Sequence, residues 1–322
     1  MIQELKIKNF KSFRDEAELS FEPSGEDRYN SVVTMPDGVQ LLRFAVVLGA
    51  NASGKSNLLD AIEFLRTFWN NIPATNNDGT DVQPFLMRKD ALSFDTEFEV
   101  KFYVDGIRYW YQLIVNPEKV CREVLFIYLS NRPTKVFCRE DVEGVSRLNF
   151  NPAVAKLSQA EIEVMSMNCL RNMSVLAVLK KVNIAVPYLD NMRRWIDTRM
   201  LPLQSGTLSS LSQEAKKHIA DSEDFREYLM QFAKEADFNI SDIKIQKMAA
   251  LFGHTVQNEI GAEDDYVMPE ACQSTGTKRM VELESLIYTQ LKRQAFLCVD
   301  EIEASMHPNL MEYILAKFMN TP

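Results

Sequence analysis

The chain has 322 residues, of which 46% are hydrophobic and 25% charged, with a net charge of −9. That composition supplies a sizeable core and excludes a disordered or fibrous chain, while the acidic balance disfavours broad attraction to nucleic acid. No run reaches the roughly 18 to 20 apolar residues of a membrane span, because Arg43 breaks the best stretch, and MIQELKIKNF lacks the apolar block of a secretory signal; a cytoplasmic protein is expected.

In chain order, Ile2, Leu5 and Ile7 predict a first strand, and Ala17, Leu19 and Phe21 alternate as in a half-buried second one. Phe44 to Leu48 is continuously apolar, the pattern of a strand covered on both faces of a mostly parallel sheet. Leu58, Ile62, Leu65 and Trp69 recur at helical spacing from Ser56 to about Asn70, where polar residues and Pro73 stop the helix. Phe98, Val100, Phe102 and Val104, an Asp105-Gly106 turn, then Ile107, Tyr109, Tyr111, Leu113 and Val115 predict a hairpin. Strands at 124–129 and 134–138 extend it into an antiparallel meander.

From Pro152 to Ala236 the pattern turns helical, as in Val175, Leu176, Leu179 and in Phe225, Leu229, Phe232. No heptad persists, so a compact helical subdomain is expected and not a coiled-coil arm. Lys180, Lys181, Arg193, Arg194 and Arg199 cluster here, and both solvated helix faces and a local nucleic-acid strip fit them. The five cysteines, Cys121, Cys138, Cys169, Cys272 and Cys298, are odd in number and scattered, which predicts reduced thiols. The three histidines show no zinc-ligand spacing.

Gly49-Ala50-Asn51-Ala52-Ser53-Gly54-Lys55-Ser56 fits G-x-x-x-x-G-K-[ST] between a predicted strand and a predicted helix. The chemistry needs this order. Glycines 49 and 54 let the backbone curl so that its N–H groups face phosphates, and the helix points its positive end at the same place. Lys55 adds a cation at the β- and γ-phosphates, and Ser56 supplies a hydroxyl for magnesium. A turn would match by chance in roughly one chain in a hundred of this length; the flanking strand and helix lower that further. The candidate phosphate-binding residues are Gly49, Asn51, Ala52, Ser53, Gly54, Lys55, Ser56 and Asn57, and the cofactors expected are ATP and Mg2+.

Two weaker signals follow. Ala295 to Val299 is an apolar run ending in Asp300 and Glu301, common in proteins without any such site; beside a phosphate loop, Asp300 becomes a magnesium ligand and Glu301 the group that orients or deprotonates water. Gln273-Ser274-Thr275-Gly276-Thr277-Lys278 opens a helix carrying Met280, Leu283, Ile287 and Leu291. It reads either as a simple N-cap or as a second anion site at Ser274, Gly276 and Thr277. One nucleotide needs one such helix start, so the second is economically assigned to a nucleotide on another copy.

Leu5 to Phe13, the extension Gly-Lys-Ser-Asn-Leu-Leu-Asp-Ala-Ile, Ser-Thr-Gly-Thr-Lys, and Asp300-Glu301-Ile302-Glu303 with Met306-His307-Pro308 resemble the SMC/RecF/OLD-like branch of ABC ATPases. More narrowly, the chain is similar to bacterial AAA-family ATPases of the AAA_15 and AAA_21 type, many of them in antiphage defence or toxin-like operons. The resemblance implies an α/β fold: an ABC-ATPase-like head with a mixed parallel core sheet, an antiparallel β meander and a helical subdomain. On that basis 1–150 is the N-terminal ATPase lobe, 151–265 the helical insertion, and 266–322 the signature helix and acidic strand. It implies a homodimer with nucleotide between the phosphate loop of one copy and Ser274 to Gly276 of the other, and a separately encoded effector such as a nuclease or toxin. It also places Lys11 and Ser12 near the nucleotide and Gln83 as the residue that senses magnesium and the γ-phosphate, although a solvated loop glutamine fits Gln83 equally well. Relatives carry a switch histidine on a further strand; that strand is expected beyond Pro322, and His307 is not given the role. A nucleotide-bound scaffold with little hydrolysis and a RecF-like DNA-end-binding ATPase are the alternative functions.

Overall fold

Asp105 and Gly106 set the register of the largest sheet. Both have positive φ, 47° and 81°, as a tight two-residue hairpin turn requires. The turn joins β5 (Thr96–Val104) to β6 (Ile107–Val115), paired from Val104 with Ile107 to Thr96 with Val115. The computed structural model describes residues 1–25, 31–142, 144–203, 210–235 and 239–302, together with Glu312, Ile314 and Ala316. They belong to two compact units, Met1–Leu203 and Gln204–Pro322.

In the first unit β1 (Ile2–Lys8) pairs with β5 and with β2 (Ala17–Ser20), and β7 (Val120–Tyr128), β8 (Pro133–Val142) and β9 (Val145–Phe150) continue the far side. The order is β2-β1-β5-β6-β7-β8-β9, antiparallel throughout, and β3 (Val32–Thr34) with β4 (Gln40–Leu42) forms a separate ribbon. Period-two alternation sorts the faces. Phe98, Val100 and Phe102 are buried inward, while outward Lys8–Glu97 and Lys101–Glu4 pair at 2.8 and 3.2 Å, contacts that stabilise little at a surface.

Against the inner face lies α1 (Lys55–Phe68), burying Ala61, Ile62, Phe64, Leu65 and Phe68. Phe64 stacks on Phe98 at 5.0 Å, and Trp69 meets Tyr111 edge-on at 5.2 Å. The unit continues through α2 (Pro152–Ala155), α3 (Gln159–Asn168), α4 (Val175–Val178) and α5 (Pro187–Arg199).

The parallel core sheet expected from Phe44–Leu48 is not found among the described residues. Residues 44–48 join no strand, and Val46 and Leu48 are 53% and 87% exposed. An apolar run becomes a central strand only where neighbours satisfy its backbone on both edges, and no described strand pairs with this one. Residues 295–299 likewise form only isolated bridges at Phe296 and Val299.

The second unit packs α6 (Gln213–Asp221), α7 (Glu223–Glu235) and α8 (Thr275–Arg293) with a sheet of β10 (Asp242–Gln246), β11 (Ala249–Gln257) and β12 (Glu263–Pro269). Phe225, Leu229, Phe232, Ile243, Phe252, Met280, Leu283 and Ile287 form its core. Within the 151–265 span expected as a helical subdomain, residues 242–246, 249–257 and 263–265 are strand, joined by turns. Ile243 with Ile245 and Ala250 with Phe252 carry the period-two signal. Among the described residues no helix is long and apolar enough to cross a membrane.

One buried ion pair ties helices to the first sheet. Glu123 on β7 and Arg139 on β8 stand 3.5 Å apart with both side chains fully buried. Glu123 accepts from the hydroxyls of Tyr111 and Ser174 at 2.9 and 2.7 Å and from the Val175 N–H at 3.0 Å. Arg139 donates to the carbonyls of Met173 and Leu170 and to Ser146 Oγ. Every partner belongs to the sheet or to the turn entering α4. Arg139→Met leaves Glu123 buried without its countercharge and is expected to cost about 3–5 kcal/mol. A chemical denaturation midpoint measures this, with the Glu123→Gln/Arg139→Met double variant expected to lose less.

Candidate functional site: a glycine loop at a helix start

The loop from Gly49 enters α1 through two left-handed residues, Ala52 at φ 62° and Gly54 at φ 99°. Gly54 is the N-cap, yet no side chain caps the helix and no acid sits in its first turn. The first N–H groups of a helix have no intrahelical acceptor, so this end offers positive, uncapped donors. Asn51, Ala52, Ser53 and Ser56 are exposed around it. Lys55 lies across the loop and donates through Nζ to the Gly49 and Ala50 carbonyls at 2.8 and 2.9 Å. A Cβ on Gly49 would stand 2.8 Å from Ser53 Oγ, so a larger residue there would require the Ser53 side chain to rotate away.

A second wall comes from the N-terminal segment, about 40 residues earlier in the sequence. Phe10 and Phe13 exchange backbone hydrogen bonds of 2.9 and 2.8 Å, which leaves Lys11 and Ser12 as a two-residue turn with Lys11 at φ 47°. The Lys11 N–H donates to the Gln83 carbonyl at 2.8 Å. Ser12 Oγ accepts from Asn57 Nδ2 at 2.8 Å, and Lys11 Nζ meets Asp60 at 2.6 Å. Below the turn, Asn9 donates to the Phe94 and Asp95 carbonyls and accepts from Arg88, which stacks on Phe94 at 3.5 Å. Lys11, Ser12, Gly54, Asn57 and Gln83 are therefore neighbours in one unit. Asp60 joins them without having been singled out in the sequence; its position three residues after Asn57 on a helix was the available signal.

In the second unit Ser274 is the N-cap of α8, accepting from the Thr277 N–H at 3.0 Å and pairing with Thr277 Oγ1 at 2.9 Å. Ser274 is exposed, Gly276 partly so, and Thr277 buried. Gln273 meets His254 Nε2 at 3.0 Å, and the opposite ring nitrogen faces the Asn239 carbonyl. That carbonyl can only accept, so Nδ1 carries the proton and Nε2 accepts from the Gln273 amide.

Asp300 accepts the Glu301 N–H at 3.0 Å, and Glu301 is exposed with φ 50°. Arg279, five residues into α8 from its cap, is 3% exposed, with Nε and Nη2 lacking hydrogen-bond partners. Burial lowers the pKa of this guanidinium, and the carboxylates of Glu282 and Glu301 oppose that shift. Glu303, Met306, His307 and Pro308 lie outside the described residues.

In the first unit Ser56 and Gln83 offer a hydroxyl and a side-chain amide, and in the second Asp300 offers a carboxylate, each a hard oxygen donor of the kind magnesium takes. No cluster of three or more His, Cys, Asp or Glu occurs among the described residues, so nothing there resembles a zinc site. A phosphate group fits the uncapped start of α1, where two glycines leave the room that Cβ atoms would fill. At Gly54 an added Cβ would approach Ser12 Oγ to 2.9 Å in a left-handed conformation. Gly54→Ala is expected to destabilise the first unit by about 1–2 kcal/mol. A lower denaturation midpoint checks this, and an unchanged one would mean that the Lys11–Ser12 turn does not seat on the loop.

No curated protein is significantly similar to the chain. Residues 44–321 match the AAA_21 family, described as "AAA domain, putative AbiEii toxin, Type IV TA system". The matched span runs from the apolar segment before the glycine loop through Asp300 and Glu301, and it covers most of the chain. With that match over most of its length, the chain belongs to the AAA_21 family of AAA domains.

Proposed function

We propose that the protein binds ATP with Mg2+ at Gly49–Ser56, hydrolyses it, and uses the cycle as a dimeric switch that controls an effector. The observation that carries this is the start of α1, a helix N-terminus without cap or acid behind a glycine loop, with Lys55 poised across it. Lys55 trades the carbonyls of Gly49 and Ala50 for the β- and γ-phosphates, and the first N–H groups of α1 hold the same oxygens. Ser56 and Asp300 would hold the magnesium ion, with Gln83 as a further oxygen donor. Bound there, the ion neutralises charge developing on the phosphates. Glu301 orients and deprotonates the attacking water.

The second anion site, at Ser274, Gly276 and Thr277, serves the nucleotide of another copy, which makes closure of the dimer depend on ATP. The Ser274 hydroxyl is already committed to Thr277. The contribution across the interface is therefore the positive start of α8, with Gly276 allowing close approach. The family description names the AAA domain itself as a "putative AbiEii toxin" of a toxin–antitoxin system, which favours a toxin-like or defence setting for the switch. A net charge of −9 argues against a general DNA-end-binding role.

Two variants test the proposal. Lys55→Ala is expected to weaken ATP binding about 100-fold, the cost of removing a charged hydrogen-bonding partner from the phosphates. Glu301→Gln is expected to retain ATP while phosphate release falls by at least about 100-fold, the usual scale of a lost general base. In saturating ATP, Glu301→Gln should accumulate as a dimer on size-exclusion chromatography with light scattering, and a monomer there would refute the switch.

A further inference from the structure

We infer that Asp60 and Asn57 are positioning residues that hold the Lys11–Ser12 turn against the glycine loop, so that Lys11 forms a second cationic wall of the nucleotide site. This inference rests on the reading of Gly49–Ser56 as an ATP site and adds to it a named mechanism for shaping that site.

The turn is anchored at its root. Phe10 is 1% exposed and packs on Phe98 and Phe64 with ring centroids 5.2 and 6.0 Å away. Thr96 Oγ1 donates to the Asn9 carbonyl at 2.7 Å, fixing the residue before it. Between these anchors and Phe13, Lys11 is held at φ 47°, a conformation that costs a side chain such as lysine energy and persists only when the surroundings over-determine it. The surroundings are three contacts: the Gln83 carbonyl on the Lys11 N–H, Asn57 on the Ser12 hydroxyl, and Asp60 on the Lys11 ammonium.

Asn57 and Asp60 are three residues apart on α1, so they share one helix face and grip the turn together. Gly54, one turn earlier, leaves the space into which Ser12 fits. The Asn57 amide is engaged with Ser12, which assigns it to holding the turn. Lys11 and Asp60 are 25% and 31% exposed, so both remain open to solvent. Lys55 lies across the loop at the start of α1, and Lys11 stands on the face of the same helix about one to two turns further on, with Asp60 the carboxylate in contact with it. Its charge opposes a phosphate directly, so a benefit from Asp60 must pass through the placement of Lys11. That sign difference makes the inference testable.

The experiment titrates the 322-residue chain with a fluorescent N-methylanthraniloyl ATP and Mg2+, comparing wild type with Lys55→Ala, Asp60→Asn, Asp60→Glu, Lys11→Met and Lys11→Met/Asp60→Asn. Asp60→Asn is expected to weaken binding about five- to tenfold, the scale of one misplaced charged contact, with Asp60→Glu recovering most of it. Lys11→Met should weaken binding comparably, and adding Asp60→Asn to it should weaken binding no further. Wild-type affinity in Asp60→Asn, or losses that multiply in the double variant, would overturn the inference. If Asp60→Asn lowers the thermal midpoint, Ser12→Ala takes its place, because it cuts the other grip without changing charge; weaker binding supports the inference and wild-type binding overturns it. Wild-type binding that Lys55→Ala abolishes keeps the ATP site itself standing in either case. A wild-type chain that retains no nucleotide overturns the ATP site and this inference with it.

Discussion

The site depends on one division of labour within α1. Its middle and end bury Ile62, Phe64, Leu65 and Phe68 against the antiparallel sheet, each fully buried side chain contributing about 1.5–3 kcal/mol. Its start has no cap and no acid. The apolar stripe fixes the helix as a rigid body, and rigidity is what allows uncapped N–H groups to be kept in place for an anion. A helix end that capped itself would be more stable alone and less useful.

Around that helix the sheet register brings distant residues together. β1 pairs with β5 up to Lys8 and Glu97, so the chain leaving β1 must turn at the end of α1 that carries the glycine loop. The turn at Lys11 and Ser12, the backbone of Gln83 and the face bearing Asn57 and Asp60 then meet within hydrogen-bonding distance. Gly54 is the point of contact, and its missing Cβ is required twice, once for the left-handed backbone and once for Ser12.

The buried charges divide into two kinds. Glu123 and Arg139 meet each other and are further satisfied by hydroxyls, a backbone N–H and carbonyls, which makes them a structural tie between the sheet and the entry to α4. Arg279 on α8 has fewer acceptors: Nε and Nη2 are without hydrogen-bond partners among the described residues, where Arg139 leaves only Nε so, and Glu301 bears on its charge. A buried cation without a full set of acceptors is costly.

What the sequence determined by itself was what a few consecutive residues can encode. Asp105-Gly106 specified the hairpin because only certain residues accept two positive φ angles in succession, and G-x-x-x-x-G-K-S specified a curled loop leading into a helix because both glycines and the helix start lie within eight residues. Alternation marked the meander, and family membership from residue 44 onward agrees with the resemblance carried by these motifs. Continuous apolarity misled at Phe44–Leu48, since a run of that kind states a preference for burial and not which partners will supply it. The strands of 242–269 were overlooked although Ile243, Ile245, Ala250 and Phe252 alternate, because the helical periods on either side dominated the reading. Only the tertiary structure decided that Gln83 acts on Lys11 through its backbone, that Asn57 holds Ser12, and that Asp60 belongs to the site. Those contacts span tens of residues and follow from strand register and one absent Cβ, neither of which leaves a periodic trace in the sequence.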